Sequence, residues 1–99
     1  MNMFEKLYDE HENVKVRFMG FTTNDIRYDF GIIYTNLFFG KPLVVCMQTG
    51  QSTLLGHEDI ENVAHLQKIF RIGSYEEAAE LAEFLRFYIP DVPMAERYD

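Results

Sequence analysis

The hydrophobic period of this chain changes once, from two residues to about 3.6, and the change falls at Gly56. Before that point, residues 14–18 alternate apolar and basic, Val-Lys-Val-Arg-Phe, which predicts a half-exposed strand. Its alternation places Val14, Val16 and Phe18 inward and Lys15 and Arg17 outward. Thr22-Thr23-Asn24-Asp25 supplies turn chemistry, and residues 26–32 alternate again with Arg27 and Asp29 outward. Two such runs around a short polar turn predict an antiparallel hairpin. Leu37-Phe38-Phe39 lies in a further turn, bracketed by Asn36 and Gly40-Lys41-Pro42. Leu43-Val44-Val45-Cys46-Met47 reads as a continuous apolar strand, and Thr49-Gly50-Gln51 reverses the chain into a short strand at 52–55.

After Gly56 the pattern is helical. Ile60, Val63, Leu66, Gln67 and Phe70 share one helix face that ends near Gly73. Ser74 with Glu77 three residues on forms a capping box for a second helix. Ala78, Leu81, Ala82, Leu85, Tyr88 and Ile89 form its inward stripe, and Pro90 ends it. Strands in series followed by helices in series predict an α+β fold: an antiparallel meander of about four strands, with two helices packed on one face. No helix separates the strands, so parallel crossover units are excluded. Ninety-nine residues fit one domain. It is expected over residues 1–90, followed by a polar C-terminal tail at 91–99.

The composition narrows the class. Fifteen per cent aromatic residues supply a well-packed core without staples. The lone cysteine, Cys46, sits in an apolar strand with no cation near it in sequence, so it reads as a buried structural thiol. No apolar run is long enough to span a bilayer. The first residues lack the charged and then apolar regions of a signal peptide, so a cytoplasmic location is expected. The net charge of −7 is concentrated in the helical half, which disfavours nucleic acid and anionic membrane as partners.

Motifs for catalysis and cofactors fail one by one. Gly40-Lys41 is only a fragment of a phosphate-binding loop, because Thr35 stands where its first glycine belongs and Pro42 where Ser or Thr belongs. No dinucleotide fingerprint opens either helix, and Gly50-Gln51-Ser52 lacks the closing glycine of a nucleophile elbow. His57, Glu61 and His65 share a helix face, but two turns separate the histidines by roughly 12 Å of rise. No metal site, cofactor or catalytic residue is therefore assigned. An RNA-binding sheet is a weak alternative, resting on an outer stripe of Lys15, Arg17 and Arg27. A small-molecule pocket or minor enzyme near Tyr28, Tyr34 or His57 is another.

What does not fit the core is more informative. Helical spacing puts Phe87 opposite the inward stripe and Phe84 at its edge, among Glu76, Glu80 and Glu83. The tail carrying Val92, Pro93 and Met94 could fold back over them. Phe38 and Phe39, adjacent in a turn, cannot easily both point inward, and strand 43–47 presents apolar residues to both sheet faces. Phe87, Phe84, Phe38 and Phe39 are thus candidate interface residues. The leading expectation is a non-catalytic interaction module that meets a protein partner or forms a homodimer.

Three segments carry a resemblance: Leu7-Tyr8-Asp9-Glu10-His11-Glu12, Val16-Arg17-Phe18-Met19-Gly20-Phe21 and Phe39-Gly40-Lys41-Pro42-Leu43-Val44. On these, and over roughly residues 7–89, the chain resembles a family of small uncharacterised Firmicutes proteins catalogued as a domain of unknown function. The resemblance implies a bacterial cytosolic α+β protein and brings no active residues with it.

Overall fold

The structure is a computed structural model that describes residues 3–23 and 25–90. Four strands form one antiparallel sheet in chain order: β1 (Lys15–Thr23), β2 (Ile26–Tyr34), β3 (Leu43–Cys46) and β4 (Ser52–Leu54). Three helices follow: α1 (His57–Ile60), α2 (Val63–Phe70) and α3 (Tyr75–Tyr88). The α+β meander expected from the sequence is therefore observed, with the first helical stretch divided in two. The break has a local cause. Asn62 leaves helical geometry at φ −87°, ψ 79°, and its side chain accepts the His65 backbone N–H at 3.1 Å to cap α2.

The hairpin pairs Lys15 with Tyr34 through to Thr23 with Ile26, a register that assigns every residue of β1 and β2 to a face. Tyr28, Phe30 and Ile32 of β2 and Val44 and Cys46 of β3 point to the helix side and are buried. Against them sit Ile60, Leu66, Phe70, Ala78, Leu81, Ala82, Leu85 and Ile89. The stripe expected for the second helix is buried as read, with Tyr88 partly covered. Ser74 accepts the Glu77 N–H at 3.1 Å, and α3 ends at Ile89 before Pro90. Gly50 takes φ +76° in the β3–β4 reversal, where its N–H donates to Cys46 O.

The face of β1 is the opposite of the expectation. Residues paired across antiparallel strands share a face, so Arg17 opposite Ile32 and Met19 opposite Phe30 lie on the helix side. Val16 opposite Ile33 and Phe18 opposite Gly31 lie on the open side. Phe18 is 72% exposed, and Val14 and Val16 are exposed as well. Arg17 is accommodated on the helix side because its guanidinium rests 4.9 Å above the Tyr88 ring centre.

Candidate functional site

With the helices gathered on one face, the outer face of the sheet is left open, and its residues sort by position. Near the end where β2 passes to β3 it carries Val16, Phe18, Ile33, Leu43, Val45 and Leu54. The Phe18 ring lies over Gly31: a Cβ there would meet Phe18 Cε1 at 3.3 Å and Met47 Sδ at 3.9 Å. Absence of a side chain at position 31 is what makes room for the aromatic against β2. Toward the hairpin end the same face turns polar. Arg27 Nε reaches Asp29 Oδ2 at 3.0 Å, and Gln48 Nε2 reaches the same oxygen at 2.6 Å. Those two side chains, Arg27 first, hold the Asp29 carboxyl below its usual range. An open antiparallel face is ordinarily polar along its whole length. Here an apolar half is bordered by a hydrogen-bonded ionic rim, the arrangement of an interface centre and its edge.

The β2–β3 connection adjoins the apolar half. Leu37, Phe38 and Phe39 are all exposed, Phe39 to 84%. Phe39 also holds φ 60°, ψ 18° inside a short 3-10 turn, and Gly40 follows at φ 69°. Lys41 Nζ ties this connection to α1 through Asp59 at 3.0 Å. Partial burial raises the Asp59 pKa, but the Gly56 N–H and Lys41 outweigh it, and the carboxyl sits below its ordinary value.

On the other side of the molecule, Phe84 and Phe87 occupy different settings. Phe84 stacks on Phe21 at 4.7 Å, and Phe21 stacks on Phe30, so Phe84 is the half-exposed end of an aromatic series that reaches into the core. Phe87 is 84% exposed and, with Glu80, Glu83 and Phe84, lines a shallow groove of about 240 Å³. The tail that could fold back over it, residues 91–99, lies outside the described residues. The candidate aromatics thus divide into two separate places, Phe38 and Phe39 at the sheet end and Phe84 and Phe87 on α3.

The alternatives fare differently. Lys15 and Arg17 face the helices, whereas Arg27 faces outward and is paired with Asp29, so the basic stripe proposed for RNA does not form. Tyr28 is buried in the core. Tyr34, six residues along the same strand, donates its hydroxyl to Tyr88 O at 2.8 Å, and burial raises its pKa. His57 opens α1. Tyr28 and Tyr34 stand roughly 20 Å apart along β2 and share no pocket. A small cavity beside Tyr28 and Glu77, about 30 Å³, has room for one water. Among the described residues, no group of three or more His, Cys, Asp or Glu side chains is placed to hold a metal ion. No helix among them is long and apolar enough to cross a membrane.

Fold and surface together define a two-layer α+β protein whose sheet is helix-covered on one side and, over half of the other, open and apolar. The chain belongs to the SAV0927-like family, whose model matches residues 7–87, a span that takes in the open face, the β2–β3 connection and Phe87. No curated protein matches it. The two-faced strand at 43–47 hinted at this surface, but turning Val16 and Phe18 inward hid the part of it that β1 supplies. The signal that could have found it is Gly31, a residue without a side chain in the middle of an apolar strand.

Proposed function

We propose that the protein is a non-catalytic interaction module that associates with itself through the open face of its sheet. The observation that carries this reading is the apolar half of that face, where Phe18 and Met47 stand exposed over Gly31 with Val16, also exposed, beside Ile33. Contiguous apolar surface bordered by polar residues is the mark of an association surface. Phe18 fits the role of its central anchor: it is large and rigid, and it is seated on a flat backbone platform.

Light scattering after size exclusion tests the reading on the wild type and on Phe18→Glu, over a hundredfold range of concentration. The wild type is expected to be dimeric and the variant monomeric with an unchanged circular dichroism spectrum. Phe18 contributes little to the monomer core, whereas a carboxylate buried at an interface is strongly unfavourable. A wild type that is monomeric throughout the range overturns the reading.

A further inference from the structure

The segment before β1 deepens this reading and rests on it. Residues 3–14 have no regular secondary structure, and Met3, Phe4 and Leu7 are 87%, 90% and 87% exposed, with Tyr8 also open. The root of the segment, by contrast, is fixed. Glu12 accepts the Asn36 backbone N–H at 2.8 Å and the Thr35 hydroxyl, just beyond the Lys15–Tyr34 pair that opens the hairpin. The segment is an arm with a fastened base and an apolar tip.

The tip has a pattern. At 100° per residue, Met3, Leu7, Phe4 and Tyr8 fall within about 140° of one helix face, and Glu5, Asp9, Lys6 and Glu10 fill the rest. An isolated helix of this length is marginal in water, so the stripe forms a helix only when its apolar side is docked. Eight residues of helix are about 12 Å long and 10 Å wide. Three adjacent strands span roughly the same distance, which is the breadth of the apolar half from Val16 across Ile33 to Leu43.

We propose that the arm of one chain docks as an amphipathic helix on the apolar half of the outer sheet face of a second copy, and that the second copy returns its own arm. Each sheet then carries helices on both faces, the second layer supplied in trans. The Glu12 bonds fix the base of the arm at the β2–β3 end of the sheet, and Met3, Phe4 and Leu7 stand in solvent, so the arm leaves its own outer face uncovered. Area points the same way. Phe18, Val16 and Met47 are the exposed large side chains of the open face, and three side chains fall well short of the ~800 Å² per partner of a stable interface. The four exposed arm side chains more than double the number of large apolar groups each partner can bury, which brings the interface toward that size.

Two full-chain experiments test the exchange. Leu7→Glu is expected to raise the dimer dissociation constant at least ~100-fold while leaving the melting of the monomer unchanged, because each dimer loses two buried leucines. Mixing a Met3→Cys chain with a Val16→Cys chain and adding a short bismaleimide is expected to join unlike chains, since the native Cys46 is buried. If the dimer persists, is sensitive to Phe18→Glu and ignores Leu7→Glu, the sheet faces meet directly. The arm exchange is then wrong, although self-association stands. If the wild type is monomeric and a doubly substituted chain cross-links to itself, the arm covers its own sheet, and both readings fall.

Discussion

Phe39 combines two unfavourable states, a left-handed backbone and an aromatic ring in water. A side chain with a Cβ costs roughly 1 kcal/mol or more in that backbone region, and little burial is available to offset it. Asn tolerates the region, so Phe39→Asn is expected to stabilise the chain by about 0.5–1 kcal/mol and raise the melting temperature by roughly 3–6 °C. Differential scanning calorimetry reads the shift, and a fall in melting temperature would show that the ring has intramolecular support. A residue that destabilises its own fold and still projects its ring is where function and stability are expected to trade against one another. Glu12 offers a second residue-scale prediction. Hydrogen bonds from Thr35, then Asn36, hold its carboxyl below the ordinary value, with burial opposing them. A carboxyl lowered in the folded state stabilises it above the unfolded pKa and loses that contribution as pH falls through the folded one. Gln is the neutral counterpart of the protonated acid. Glu12→Gln should therefore unfold at lower urea than the wild type at pH 7, and the two midpoints should converge below about pH 4. A constant gap across that range would show that the Glu12 carboxylate is not the group responsible.

Elements were more legible than their orientation. The four-strand meander and the capped α3 follow directly from period and punctuation: Ser74 accepts the Glu77 N–H as its position predicts, while its hydroxyl donates to the Glu77 carboxylate. The division between α1 and α2 was hidden because Ile60, Val63, Leu66 and Phe70 keep helical spacing straight across it. What breaks the helix is one side chain competing for the backbone, and apolar periodicity carries no record of that. Asn62→Ala is accordingly expected to cost about 1 kcal/mol, measured by urea denaturation, since the His65 N–H loses its side-chain acceptor and keeps only the Asn62 carbonyl. An unchanged midpoint would mean that packing of Leu66 and Phe70 alone places α2. The inversion of β1 has a different cause. Alternation separates two faces of a strand without saying which is buried, and the usual rule sends Lys and Arg to water. Arg17 evades the rule by lying over Tyr88, and Phe18 is left outside above Gly31. Of the candidate site, Phe38, Phe39, Phe84 and Phe87 could be picked out as residues that do not fit a core. The face centred on Phe18 could not, because it depends on a register that only the pairing with β2 fixes.

At the scale of the whole molecule, the sheet has one satisfied face and one unsatisfied one, and this asymmetry makes a thermodynamic demand. A protein that buries apolar surface only by associating owes part of its stability to its own concentration. Unfolding a dimer of two 99-residue chains absorbs roughly 140 kcal/mol near the midpoint, at about 0.7 kcal/mol per residue. Mass action then requires the melting temperature to rise by roughly 7 °C for each hundredfold increase in concentration. Phe18→Glu should melt at one temperature regardless of concentration, because its transition is unimolecular. At high dilution the wild type should converge on it, since both then unfold from the monomer. The comparison separates association from aggregation, which would lower the wild-type midpoint as concentration rises. A wild-type midpoint that stays flat over the same range would mean that the open face is stable in water by itself. The apolar half around Phe18 would then have to serve some purpose other than meeting its own copy.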